Sequence, residues 1–170
     1  SGKSTLVKML VNFYTEYDGN IVFGNTDMRR INPTALRKKV FLFPQDIYVF
    51  NGTIKENILY ANLNADIEDV IRAAKLADLH DFVAGQYLGY NYKIGDYGAN
   101  LSGGQQLKLA FARLFLSDPD LIILDEASSM LDVESEQKIM ANIKSHFKGK
   151  TIISIAHRMQ TLKNADRIWV

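Results

Sequence analysis

Cysteine is absent from the 170 residues, which excludes disulfides, thiolate metal sites and a cysteine nucleophile and is compatible with a reducing compartment. Long apolar runs are missing too. The longest are Val40–Phe43, Ile47–Phe50 and Leu121–Leu124, far short of the roughly 18 residues of a membrane span. Neither sign of charge dominates: 20 Lys+Arg against 19 Asp+Glu leave +1. The chain therefore lacks the basic field that a nucleic-acid partner demands and the acidic block of a repelling tail. What remains is ordinary globular material, 47% hydrophobic, 11% aromatic and 23% charged. That is enough apolar residue for one domain's core and too much aromatic content for disorder.

The two ends read as cuts. Ser1-Gly2-Lys3-Ser4-Thr5 is the close of a pattern that normally follows a strand and loop, and Arg167-Ile168-Trp169-Val170 reads as a final strand stopped mid-run. The expectation is an internal segment of a longer protein.

Between them, apolar spacing at Leu6, Leu10, Phe13 and Tyr14 predicts a helix from Lys3 to Tyr14. Asp18-Gly19-Asn20 makes a turn before a short strand at Ile21–Phe23. Pro33 can open a brief helix, and the continuous run Val40–Phe43 suits a strand covered on both faces. Thr53 and Glu56 stand at capping-box spacing, ahead of a helix through Tyr60. Ile67, Val70, Ile71 and Ala74 mark an amphipathic helix, and Leu79, Phe82 and Val83 a second. After a loop rich in glycine and tyrosine, Ser102 caps a long helix from about Gly104 to Leu116. Leu121–Leu124 is a buried strand, Asp132 caps a helix over Val133–Phe147, and Thr151–Ala156 is another strand. Strand–helix alternation of this kind predicts an α/β fold with a mainly parallel sheet. Residues 1–59 and 118–170 form its core, and 60–117 a helical insert.

Three constellations carry chemistry. Gly2-Lys3-Ser4 at the head of an amphipathic helix matches the second half of the phosphate loop G-x-x-x-x-G-K-[ST]. Backbone N–H groups at a helix start bind anions, a lysine adds a point charge, and a hydroxyl ligates Mg²⁺. By itself this tripeptide recurs by chance. Leu121–Leu124 leads into Asp125-Glu126, an acidic pair at the carboxyl edge of a parallel strand, where open α/β folds bind ligands. There Asp125 would serve Mg²⁺, and Glu126 would take a proton from an attacking water. Two solvated acids capping a strand is the plain alternative. Leu101-Ser102-Gly103-Gly104-Gln105 places paired glycines at a helix start, either a second anion nest or a glycine linker.

The third constellation, a pentapeptide some twenty residues ahead of a strand ending in Asp-Glu, resembles the signature of the nucleotide-binding domain of ABC ATPases. The resemblance covers nearly the whole chain and implies a P-loop NTPase fold of the ABC type that binds ATP and Mg²⁺. Ser1, Gly2, Lys3, Ser4 and Thr5 would then belong to the Walker A segment and bind the nucleotide. Gln45 would be the catalytic Q-loop glutamine, reaching the attacking water and coupling to the transport domain, and Mg²⁺ would be held by Ser4, Gln45 and Asp125. Glu126 would be the catalytic glutamate and His157 the switch histidine on the γ-phosphate. Ser129-Met130-Leu131-Asp132 would be the D-loop. Two such domains pair head to tail in the family. Ser102, Gly103, Gly104 and Gln105, with Asp132, would therefore meet the partner's nucleotide, in a homodimer or a heterodimer.

Phe50-Asn51-Gly52-Thr53-Ile54-Lys55-Glu56-Asn57-Ile58 is similar to the stretch after the Q-loop in exporter-type members. This implies an ATPase on the cytoplasmic face of a membrane, with a transmembrane domain on the same chain and no nucleic-acid partner. A soluble ABC ATPase of translation or DNA repair shares the core motifs. A non-hydrolysing regulatory copy would typically have lost Glu126, His157 or part of the signature. Three positions depart from the exporter pattern: Lys93 where glutamate is usual, Lys108 where arginine is usual, and Met130 where a small alanine is usual.

Overall fold

The computed structural model describes residues 2–43, 46–125, 130–155 and 165–168. Its regular elements run α1 (Lys3–Leu10), β1 (Val22–Phe23), β2 (Thr26–Asp27), α2 (Pro33–Lys39), β3 (Val40–Leu42), β4 (Gly52–Thr53), α3 (Ile54–Leu59), α4 (Ile67–Leu76), α5 (His80–Ala84), β5 (Lys93–Ile94), α6 (Gly103–Leu116), β6 (Leu121–Asp125), α7 (Val133–His146) and β7 (Thr151–Ile155). They gather into two compact units. One holds Ser1–Leu42, Pro119–Glu126 and Lys150–Val170, the other Phe43–Asp118 and Ala127–Gly149.

The first unit is built on a parallel sheet of order β3-β6-β7, with Val40 opposite Leu121 and Leu121 opposite Thr151. Asp120 joins the starts of all three strands. Its N–H donates to the Lys39 carbonyl and its carbonyl accepts from the Thr151 N–H. Its carboxylate lies between Lys150 and Lys39, at 2.9 and 3.1 Å, and those two ammonium groups hold its pKa below the usual value. Val7 of α1 packs into the core with Leu121 and Ile123 of β6, and Leu10 and Val11 lie against the same cluster.

That stripe corrects the expected one. Leu6, Phe13 and Tyr14 are exposed, Phe13 by 71%. The helix stops at Leu10 because Asn12 turns left-handed at φ 60. The Asn12 N–H then donates to Met9 and the Phe13 N–H to Lys8, a Schellman closure with asparagine in the position glycine usually takes. Past it, Phe13 and Tyr14 lie beyond the helical spacing that would have turned them inward.

The second unit surrounds α6, whose Leu107, Leu109, Ala110, Phe111, Ala112 and Leu114 are all buried, as for a helix covered on every side. α3 and α4 pack on it, and the Phe43 ring meets Phe111 at 4.4 Å between centroids. Capping boxes start α3 (Thr53 with Glu56), α4 (Asp66 with Asp69) and α6 (Ser102 with Gln105). By packing, 43–59 and 127–149 thus belong with the helices of 60–117. Phe43 stacks on α6, and Asn142 of α7 donates to the Leu76 carbonyl at 2.8 Å. β4 and β5 form an antiparallel pair, Gly52 opposite Ile94, too short to leave a period in the sequence. At the far end, Arg167 and Ile168 carry no strand, contrary to expectation, and Trp169 and Val170 lie outside the described residues.

Buried polar groups in this unit are paired around Asn57. Its amide donates to the Phe50 and Thr53 carbonyls, while Oδ1 accepts from the Phe50 N–H and from Arg113 Nη2. Arg113 Nε and Nη1 reach the Asn57 and Tyr48 carbonyls at 2.8 and 2.6 Å. Asn57→Ala leaves several of these groups unpaired in a dry site. It is expected to lower stability by about 3 kcal/mol, read as a reduced urea midpoint at unchanged m value.

Candidate functional site

Gly2 is the N-cap of α1 at φ 78, a left-handed conformation that glycine takes without strain. No side chain caps this helix and its first turn carries no acid. The N–H groups of the first turn thus have no intrahelical acceptor and face a region where a Cβ on Gly2 would meet nothing within 4 Å. Lys3 beside them is exposed. This open, electropositive helix start fits a phosphate group.

Ser4 and Thr5 lie in the first turn of α1, and Asp125 closes β6 opposite Ile155 of β7, at the carboxyl edge of the sheet. A serine hydroxyl and an aspartate are hard oxygen donors. The described residues hold no group of three His, Cys, Asp or Glu able to form a complete cage. Such a donor set suits Mg²⁺, which keeps waters and takes phosphate oxygens beside one or two protein ligands. Ser1, Gln45, Glu126 and His157 lie outside the described residues.

The signature residues stand at the start of α6 in the helical unit. Ser102 Oγ accepts from the Gln105 N–H at 3.3 Å, and Gln105 Oε1 accepts from the Ser102 N–H at 2.8 Å. This reciprocal cap leaves the N–H groups of Gly103 and Gly104 without an intrahelical partner, and these two can meet an anion. Neither glycine has positive φ. They matter for approach instead: a Cβ on Gly103 would lie 3.0 Å from Met130 Sδ, and one on Gly104 would lie 3.4 Å from the Met130 carbonyl oxygen. The expected open nest is therefore covered on one side by Met130 of the same chain.

Asp132 accepts the Ser135 N–H at 2.8 Å as the cap of α7. That bond holds its carboxyl below the usual range. A carboxylate that sequence reasoning passed over lies nearby in the same unit. Asp78 accepts from Lys108 Nζ at 2.7 Å, from Ser135 Oγ at 2.9 Å and from Lys138 Nζ. Burial pushes the Asp78 carboxyl up, but the bonds from Lys108, Lys138 and Ser135 outweigh it and hold the pKa at about 2. Nothing local in the sequence marks this group, because its partners stand 30 to 60 residues away.

Among the described residues no helix is long and apolar enough to cross a membrane. The chain is 46% identical over its full length to the alpha-hemolysin translocation ATP-binding protein HlyB of Escherichia coli, covering 24% of that protein. It is 45% identical, with the same coverage, to the leukotoxin translocation ATP-binding protein LktB of Mannheimia haemolytica. Among solved structures, a bacterial Atm1-family ABC exporter with ATP bound superposes with a TM-score of 0.92 at 37% identity, over 97% of this chain and 29% of that one. The chain spans between 24% and 30% of the length of the curated relatives it matches. That likeness fixes the fold as the P-loop NTPase fold of ABC exporters. The family model described as ABC transporter matches residues 1–129, more than half of the chain, and the chain therefore belongs to the ABC transporter family.

Proposed function

We propose that this chain is the ATP-hydrolysing module of an ABC exporter, working on the cytoplasmic face of a membrane beside a transmembrane domain. The observation that carries the reading is the uncapped, acid-free start of α1 behind Gly2. It is a phosphate seat in the unit whose central strand ends in Asp125. The names of the relatives, which are translocation and export proteins, support transport over translation or DNA repair.

In this reading the first-turn N–H groups and Lys3 bind and orient the β- and γ-phosphates, and Thr5 lies beside them. Ser4, Gln45 and Asp125 hold Mg²⁺, which neutralises phosphate charge when bound. Glu126 takes the proton of the attacking water, and His157 holds the γ-phosphate in place. Positioning and electrostatics do most of the work for such a transfer. The ATP-binding core is drawn from 1–59 and 118–170, of which 43–59 and 127–149 pack with the helical unit, and 60–117 presents the signature. Ser102, Gly103, Gly104, Gln105 and Asp132 face the nucleotide of a second cassette, so closure of the pair depends on ATP.

Phosphate release from the full-length protein in proteoliposomes tests the reading. Steady hydrolysis of ATP with Mg²⁺ is expected, falling about 100-fold or more when the metal is chelated. A full-length protein that binds ATP but releases no phosphate under any condition would be a regulatory copy. Hydrolysis stimulated by ribosomes or DNA would place the chain in the soluble class.

A further inference from the structure

Asp78 occupies a left-handed turn between α4 and α5, at φ 57. Glycine takes that conformation most readily, and asparagine and aspartate are the side chains enriched in it after glycine. Its three donors come from two other helices. Lys108 stands four residues beyond Gly104 on α6, and Ser135 and Lys138 lie in the first two turns of α7. Ser135 is bonded in both directions, its N–H to Asp132 and its hydroxyl to Asp78. An unbroken polar chain therefore leads from Asp132 through Ser135 and Asp78 to Lys108 in the signature helix. At a second point Met130 covers Gly103 and Gly104. The side chains of Asp78 and Lys108 are only 20% and 19% exposed, so this pair escapes most of the screening that weakens surface ion pairs.

We propose that Asp78 is a positioning residue that fastens Ser102–Gln105 and Met130–Asp132 into one block, so that both segments reach a partner cassette's nucleotide in fixed register. The proposal rests on the cross-subunit reading of the signature. Its physical basis is that small misplacements of positioning groups cost large factors in rate. The ion cluster ties α6 to the start of α7, and Met130 lies over Gly103 and Gly104 beside it. The carboxylate stays charged at any pH above its depressed pKa, so the fastening is permanent across the neutral range.

The test compares the full-length protein with Asp78→Asn, Lys108→Met and Lys108→Arg. Readouts are kcat and KM for ATP and the affinity for a fluorescent ATP analogue. Asp78→Asn and Lys108→Met are expected to lower kcat about tenfold, while KM and analogue affinity stay unchanged because the chain's own phosphate seat is untouched. Lys108→Arg keeps a cation for Asp78 and is expected to restore kcat. Unaltered kcat in folded Asp78→Asn overturns the proposal. So does a parallel loss of kcat and analogue binding that Lys108→Arg shares, since Asp78 would then only hold the fold together. If Asp78→Asn is not recovered folded, the two Lys108 variants decide alone. Ser102→Arg serves as the control: if it leaves turnover intact, the cross-subunit reading fails, whereas loss there with normal Asp78→Asn removes only the fastening.

Discussion

Replacing Glu126 by glutamine in the full-length protein is expected to lower ATP hydrolysis by about 10² to 10⁴-fold while ATP binding persists. Glu126 follows Asp125 directly, and Asp125 closes the central strand β6 at the carboxyl edge of the sheet. In the proposed mechanism Glu126, next in sequence after that strand end, is the base that takes the proton of the water attacking the γ-phosphate. Glutamine keeps the shape and the hydrogen-bonding reach and loses the proton acceptor, so the loss falls on turnover and spares affinity. ATP-bound pairs of cassettes should therefore accumulate, visible as a nucleotide-dependent dimer by light scattering or crosslinking. Turnover within a few-fold of the parent would assign the base to another group. Loss of ATP binding together with turnover would make Glu126 a structural residue.

Lys3→Ala is expected to act at the opposite step. Lys3 is exposed beside a helix start whose N–H groups have no acceptor, and in the proposed reading it adds a full positive charge to the backbone dipoles at the phosphates. Removing a charged group aimed at a phosphoryl oxygen costs about 10² to 10³-fold in kcat/KM. Because the proposed contact is made in the ground state too, affinity for ATP should fall as well, which separates this variant from Glu126→Gln. Equilibrium binding of a fluorescent ATP analogue, read beside phosphate release, tells the two apart. Unchanged affinity in Lys3→Ala would mean that the α1 start is not the phosphate seat.

The contrast between these residues and Asp78 shows where sequence reading is strong. α3 and α6 begin at the capping boxes that Thr53/Glu56 and Ser102 foretell, and α7 begins at the Asp132 cap. Each cap joins residues only three apart, so its physics is written in consecutive letters. The strand Leu121–Leu124 is legible for a similar reason: a short continuous apolar run between polar residues suits a covered parallel strand. The resemblance to ABC ATPases likewise rests on contiguous motifs, which the family match over residues 1–129 bears out.

Other features depended on partners far along the chain. Of the expected stripe of α1 only Leu10 packs inward, partly buried beside the buried Val7 and the cap residue Val11, while Leu6 is exposed. With several apolar residues around a short helix, the position of the sheet chooses the face, and the left-handed turn at Asn12 ends the helix before Phe13. Residues 43–59 pack with the helical unit because Arg113 binds the Tyr48 and Asn57 carbonyls across 65 and 56 residues of chain. The seat of Met130 on Gly103, and the gathering of Lys108, Ser135 and Lys138 on Asp78, have the same origin. By itself the sequence determined the family, the α/β alternation and the caps of α3, α6 and α7, because each is encoded by neighbours a few positions apart. Tertiary structure decided which face of α1 is buried, which segments join the helical unit, and what lies against the signature, because those contacts join residues distant in sequence and no local pattern records them.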